Sequence, residues 1–422
     1  MKIKQIEKPY KEVANIKAPK HKKPKKPSIL FRTIIRLASI PDLIFTRFKF
    51  TKERMELAGK GPYFILMNHS SFIDLEIASK IFYPKPYCIV STTDGMVGKE
   101  WLMRNIGCIP TQKFVTDVTL IKDILYTLKT LKTSVLMYPE AGYSFDGRTT
   151  TLPRRLGVLL KKLNVPVLSV ITDGAFLRDP LYNGLQKRKV KVSAKLTCLF
   201  TPEELKSKSV EEIDETIDKT FGFDAFKSQL ENKVEIKEDF RADGLHRVLY
   251  KCTECGNENA LIGKGIHLTC SACGKKFKLT TLGEIKGLDF DSNFSHIPDW
   301  YNWQRDCVRK EILDDNYKLE LPVSIGILTD YKGLYMVGDG TLYHDKNGFR
   351  LEGCDGVLEY TQGPTHSYSL NSDYFWYEIG DVICIGNKER LYYCFPKSTH
   401  PVAKTRLATE ELFKICKKTV TT

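Results

Sequence analysis

From Gly61 to about Phe200, short apolar runs alternate with amphipathic stretches, and this pattern restricts the fold more than any other feature. PYFILMN (62–68), YCIVSTT (87–93), TSVLMYP (133–139), VPVLSVIT (165–172) and VKVSAKLTCLF (190–200) have the length and β-branched content of strands. Ser71–Phe82, Val118–Leu131 and Pro153–Leu163 carry apolar residues at helical spacing. A helix-start signal at Thr201-Pro202-Glu203-Glu204 opens a charged, helical stretch over 201–235. The expected fold is an α/β unit over 28–240, a mixed sheet between helices.

The flanks differ. Residues 1–27 hold ten lysines. Such a segment repels itself, so a basic disordered tail is expected. Ser28 is placed to cap a helix through Ser39, with Leu30, Ile34, Leu37 and Ala38 on one face and Arg32 and Arg36 on another. This describes a core helix or an interfacial one, and the preceding lysines favour a membrane surface. Ile29–Phe45 is interrupted by Arg32, Arg36, Pro41 and Asp42, so it is not expected to span a bilayer. Residues 286–422 alternate aromatic-rich runs with turn residues such as Asp345–Gly348 and predict a small β-rich domain, closed by a helix at RLATEELFKICKK. Trp300, Tyr301, Trp303, Tyr374, Phe375, Trp376 and Tyr377 fit a β core better than a lipid- or protein-reading surface. His296, His344, His366 and His400 have no partners at motif spacing.

The formal net charge is +14, which calls for anionic partners: a membrane surface, a nucleic acid or a phosphorylated ligand. The polar, lysine-rich start carries no secretory pattern, and the twelve cysteines fit a reducing compartment. The expected location is cytoplasmic, peripheral on the inner face of the cell membrane. Cys252-Thr-Glu-Cys255 and Cys270-Ser-Ala-Cys273, fourteen residues apart and each followed by glycine, form a four-thiolate metal pattern. It predicts a zinc ribbon over 245–285, with Zn2+ structural because four ligands close the site. The ribbon reads as a spacer, and His267 as a strand residue.

Chemistry concentrates where strands end. His69 and Asp74 stand in N-H-S-S-F-I-D directly after the first strand. Imidazole is a base suited to neutral pH, and a carboxylate on its second nitrogen fixes the tautomer. On one regular helix, residues five apart point roughly 140° away from each other. The pair therefore works only with His69 in the turn and Asp74 on the first helical turn. Pro139-Glu140-Ala141-Gly142-Tyr143-Ser144 follows another strand, where such a turn presents backbone N–H groups to an anion or oxyanion. Between them lies Gly107-Cys108-Ile109-Pro110-Thr111-Gln112-Lys113.

Taken in order with Val165-Pro166-Val167-Leu168, these blocks resemble the glycerophospholipid acyltransferases, over roughly residues 30–235. The resemblance implies transfer of a fatty acyl group from acyl-CoA or acyl-carrier protein to a hydroxyl of a lysophospholipid such as 1-acylglycerol-3-phosphate. It implies His69 as general base, Asp74 as its partner, and no catalytic cofactor. Lys113 falls where the family has an acceptor-binding arginine. Tyr143 replaces the arginine of the third block, which leaves open a phosphate held by Arg148, Arg154 or Arg155, or an acceptor with another head group. The expected acceptor site is Lys113, Glu140, Ala141, Gly142 and Arg148. Two other readings compete. A zinc-ribbon nucleic-acid-binding protein leaves the ordered blocks unexplained. A catalytically inactive lipid-binding relative does not account for retention of both His69 and Asp74.

Overall fold

The computed structural model describes residues 3–115, 117–153, 155–399 and 402–420, with side chains as far as 417. Arg154 and His400 lie outside the described residues.

A seven-stranded sheet organises the first half of the chain. Its order is Lys49–Glu53, Ser193–Phe200, Val167–Asp173, Phe64–Met67, Ser134–Met137, Tyr87–Thr92, Cys108–Thr111. All neighbours are parallel except Val167–Asp173 with Ser193–Phe200. The central strand Phe64–Met67 is buried on both faces, which is why it reads as an unbroken apolar run. Phe64 and Leu66 enter a core with residues of helices Val118–Lys129, Leu156–Leu163 and Val210–Phe221. Ile65 and Met67 enter a second core with Ile73, Ile77 and Phe82 of helix Ile73–Phe82. The chain bends out of that helix at Tyr83-Pro84, because the residue before proline is driven out of the helical region.

Two further sheets follow. Leu261–Lys264, His267–Cys270, Lys276–Leu279 and Ile285–Gly287 make a small antiparallel sheet around the cysteines. The last third forms an antiparallel sheet ordered Leu358–Gln362, Gly348–Gly353, Leu334–Asp345, Leu319–Ile327, Leu391–Pro396, Gly380–Gly386, Asn371–Trp376. This region is not all β. Helix Ile297–Leu313 places Trp300, Gln304, Val308 and Ile312 on one buried face, a helical spacing inside what reads as an aromatic-rich β segment. Closing helix Val402–Val420 is tied to it by Arg305, which pairs with Glu410 at 2.7 Å and Glu411 at 3.0 Å. One apolar cluster runs from Phe145, Phe176 and Phe226 through Leu249 and Phe277 to Trp300, Ile383 and Leu407, so the three expected units share a core.

The expectation of a disordered tail is corrected. Gln5–Glu7 adds to the C-terminal sheet in parallel with Leu334–Met336, and Val13 of helix Tyr10–Ala14 is fully buried. Arg390 donates to the Tyr10 hydroxyl and the Ala14 carbonyl. Farther on, His21 meets Asp123 at 2.9 Å, Lys22 meets Glu100 at 2.7 Å, and Lys25 donates to Asn105 at 2.7 Å. Self-repulsion of the lysines is offset by carboxylates that lie close in space and far in sequence.

Candidate active site and cysteine cluster

Four segments leave the C-terminal ends of parallel strands and converge, the end at which open α/β sheets form their ligand crevices. Asn68 and His69 follow Phe64–Met67, residues 138–144 follow Ser134–Met137, Lys113 follows Cys108–Thr111, and Thr172 lies one residue before the end of strand Val167–Asp173. Asn68 locks two of these ends together, its Oδ1 accepting from the Thr172 N–H at 2.8 Å and its hydroxyl at 3.1 Å.

His69 Nδ1 lies 3.0 Å from Asp74 Oδ2. The same oxygen accepts from the backbone N–H groups of Ser70 at 2.8 Å and Ser71 at 3.1 Å. His69 is in the turn and Asp74 on the first turn of helix Ile73–Phe82, the arrangement their spacing requires. Asp74 is buried and the His69 side chain is 21% exposed, so the carboxylate is shielded while the imidazole reaches an open face. Among the described residues no hydrogen bond engages His69 Nε2. The imidazole lies against two rings, stacked with Tyr138 at 4.0 Å and tilted against Tyr143 at 4.1 Å between ring centroids. Spacing alone does not foretell this clamp, because it depends on two strand ends being adjacent.

The 139–144 turn braces the His69 loop. Ser144 N–H donates to the His69 carbonyl at 3.3 Å, and the Glu140 carboxyl accepts the His69 N–H. Burial, together with the nearby Asp74 charge, pushes the Glu140 carboxyl well above the usual carboxylate range. Glu140 is thus a buried brace, not the pocket-lining group expected from the sequence. Ala141 adopts φ 55° and spends its N–H on the Tyr138 carbonyl. Gly142 faces the site: a Cβ built there would lie 4.0 Å from Lys113 Nζ. Arg148 is turned away from the expected role. Its guanidinium is held by Asp146 at 2.6 and 2.9 Å and by Asn302 at 2.9 Å. Asp146, two positions before Arg148, is the sequence signal for that pairing.

Behind the dyad lies a polar chain that the sequence does not announce. Arg178, almost wholly buried, pairs with Asp179 at 3.0 Å and with Asp42 at 2.6 Å. Burial pushes the Asp179 carboxyl up to about 6, opposed by the Arg178 guanidinium and the nearby Ser71 hydroxyl. Asp42 belongs to helix Ile40–Phe45, so the N-terminal helices are fastened to the turn that holds Asp74. A separate groove of about 700 Å³ opens between strand Lys49–Glu53 and helix Val210–Phe221. None of its lining residues belongs to the dyad or the 139–144 turn.

The four cysteine sulfurs lie within 4.8 Å of one another, with Cys252 to Cys273 at 3.9 Å and Cys255 to Cys270 at 3.8 Å. A metal with bonds of about 2.3 Å at a tetrahedral centre sets sulfurs roughly 3.8 Å apart, so the set fits a structural ion. Backbone N–H groups of Glu254 and Cys255 point at the Cys252 sulfur, and those of Ala272 and Cys273 at the Cys270 sulfur. Gly256 at φ 71° and Gly274 at φ 72° close these turns, a conformation that favours glycine.

Residues 47–172, the segment that carries the dyad, Lys113 and the 139–144 turn, match the acyltransferase family model. Among solved structures, the chain is similar to the 1-acyl-sn-glycerophosphate (LPA) acyltransferase PlsC from Thermotoga maritima. The identity is 18%, with 45% of this chain and 78% of that chain covered, at a TM-score of 0.34. No curated protein matches the chain.

Glu76, one helical position beyond the core-facing Leu75, reports on the electrostatics behind the dyad. Burial pushes its carboxyl up to about 7, with Asp42 adding to the effect and Arg178 opposing it. The folded chain therefore holds this proton more tightly than the unfolded chain, whose group stays near 4.5. The stability contribution is full below pH 4.5 and is lost as pH rises through about 7. Glu76→Gln should exceed the native chain in stability by about 1–3 kcal/mol at pH 8.5, and the gain should vanish near pH 4.5. Urea midpoints at the two pH values check this, and equal midpoints at pH 8.5 would contradict it.

Proposed function

We propose that the protein moves a fatty acyl group from an activated thioester, acyl-CoA or acyl-carrier protein, to a hydroxyl of a lysophospholipid. The reading is supported above all by the His69–Asp74 contact inside the matched segment, with no hydrogen bond on Nε2 among the described residues. His69 Nε2 takes the proton of the acceptor hydroxyl as its oxygen attacks the thioester carbonyl. Asp74 holds the Nδ1–H tautomer and stabilises the imidazolium. The C–S bond then breaks, and the leaving thiolate takes the proton back from His69. Tyr138 and Tyr143 keep the ring from swinging away from the attacking oxygen. The Gly142 end of the turn and Lys113 face the charge that develops on the substrates.

His69→Ala should lower turnover by about 10²–10⁴-fold with melting temperature unchanged, and Asp74→Asn should follow it by favouring the wrong tautomer. A folded His69→Ala protein with near-native acyl transfer would rule out this mechanism.

The cysteine site is proposed to hold Zn2+ as a structural ion, since four thiolates suit a metal without redox chemistry and leave no open position. Protein purified without chelator should contain one zinc per chain by elemental analysis, and Cys270→Ser should lose it together with stability. Stoichiometric iron, or no metal at all, would refute the assignment.

Membrane contact is proposed through the N-terminal helices. Ser28 caps helix Ile29–Ala38, which buries none of its residues. Ile29, Leu30, Ile34, Leu37, Ile44 and Phe45 are between 50% and 70% exposed, an apolar face that soluble surfaces seldom present. No helix of the described residues is long and apolar enough to cross a membrane. The protein should float with anionic vesicles, and the triple change Leu30→Ser, Ile34→Ser, Leu37→Ser should abolish flotation at unchanged melting temperature. Undiminished flotation of the triple variant would place the contact elsewhere.

A further inference from the structure

The groove between strand Lys49–Glu53 and helix Val210–Phe221 has a floor unlike a packing surface. Strand register lays that floor out in rows. Asp173, Ser193 and Lys49 stand opposite one another in the first row, and Ser169, Thr197 and Glu53 in the third. Lys195 lies in the row between them and pairs with Glu53 at 2.5 Å. Elsewhere on this face of the sheet, Phe64, Leu66 and Val167 are buried against helices. A sheet face that receives helices is apolar, so the change to hydroxyls and charges marks ground kept for a polar occupant.

Ser169 is an independent sign of that occupant. It lines the groove and is only 1% exposed, yet its hydroxyl has no hydrogen-bond partner among the described residues. Buried hydroxyls are ordinarily paired, so this one is set to meet a group that enters the groove. Lys49 in the first row and Lys219 on the helical wall are exposed, and neither has an ion-pair partner within 4 Å among the described residues. Lys49, Lys195 and Lys219 against Glu53 and Asp173 leave the lining net positive, which favours an anion. At about 700 Å³ the groove has the size of a cofactor site and far exceeds what inorganic phosphate would fill.

The groove also opens at the edge of the sheet where the dyad lies. Met67 is level with Val170 on the neighbouring strand, so His69 is level with Thr172. Asn68 Oδ1 accepts the Thr172 N–H at 2.8 Å, and the next residue, Asp173, begins the first row of the groove. Adjacent strands are about 4.8 Å apart, so the catalytic turn and the mouth of the groove are neighbours across one strand.

Building on the acyltransferase reading above, we propose that this groove holds the phosphorylated nucleotide of a coenzyme A thioester. Lys49 and Lys219 meet its phosphates, and the Ser169, Ser193 and Thr197 hydroxyls meet its sugar and phosphate oxygens. The pantetheine arm crosses the sheet edge and carries the acyl carbonyl to His69. The donor is then coenzyme A rather than acyl-carrier protein, because a protein carrier docks on an exposed surface and has no use for a recess of this size.

The test uses the full chain. Calorimetry should show coenzyme A bound by the native protein, and bound about tenfold more weakly by the double variant Lys49→Met, Lys219→Met. In turnover with mixed lysophospholipid acceptors, the double variant should raise KM about tenfold more for an acyl-CoA than for the matching acyl-pantetheine thioester, which lacks the nucleotide. A change that merely disturbed the fold would move both donors together. Equal changes in KM for the two donors would overturn the inference, as would coenzyme A binding that survives the double change. So would a native preference for acyl-carrier protein as donor. Each of those results leaves acyl transfer standing. Absence of transfer from every donor by folded native protein would instead overturn the acyltransferase reading, and this inference with it.

Discussion

One carboxylate oxygen, Asp74 Oδ2, accepts from the Ser70 and Ser71 N–H groups and from His69 Nδ1. Those three bonds convert a loop between a buried strand and a helix into a fixed turn. Without them the imidazole would lie on an unsupported connection, and neither tyrosine would have a ring to stack on. Because Asp74 is fully shielded, breaking one of these bonds would leave a buried charge short of partners, which costs more than the bond itself contributes. The strain-free way to hold such an oxygen is the arrangement seen here: two backbone donors from the turn and one from the ring.

The dyad was legible because all its parts lie within a few residues. His69 and Asp74 have to share a turn, and the polar Asn68, Ser70 and Ser71 between two apolar elements mark where that turn is. The strands around it were equally readable, since a central parallel strand such as Phe64–Met67 must be apolar on both faces. The cysteine quartet was visible for a similar local reason: each pair, with its glycine, forms its own turn.

Interactions between distant segments were hidden. Arg148 carries the right charge at a suggestive position, but its guanidinium finds Asp146 and Asn302, the latter on a helix that the aromatic content of its segment disguised. The lysine-rich segment looked self-repelling because the carboxylates that receive it, Glu100 and Asp123, appear only when the chain is folded. Tyr143 stood out in the sequence as a lost arginine. In the fold it closes one face of the imidazole, a role no spacing rule anticipates.

The first strand has a consequence for the order of events during synthesis. Gln5–Glu7 pairs with Leu334–Met336, which leaves the ribosome long after the seven-stranded sheet and its helices have emerged. Until then the segment that follows it, including the apolar helix Ile29–Ala38, is anchored only by contacts such as that between Asp42 and Arg178. The nascent chain thus displays its stickiest surface before its own clasp exists. A bilayer, or a chaperone, is the natural cover for that surface during the interval.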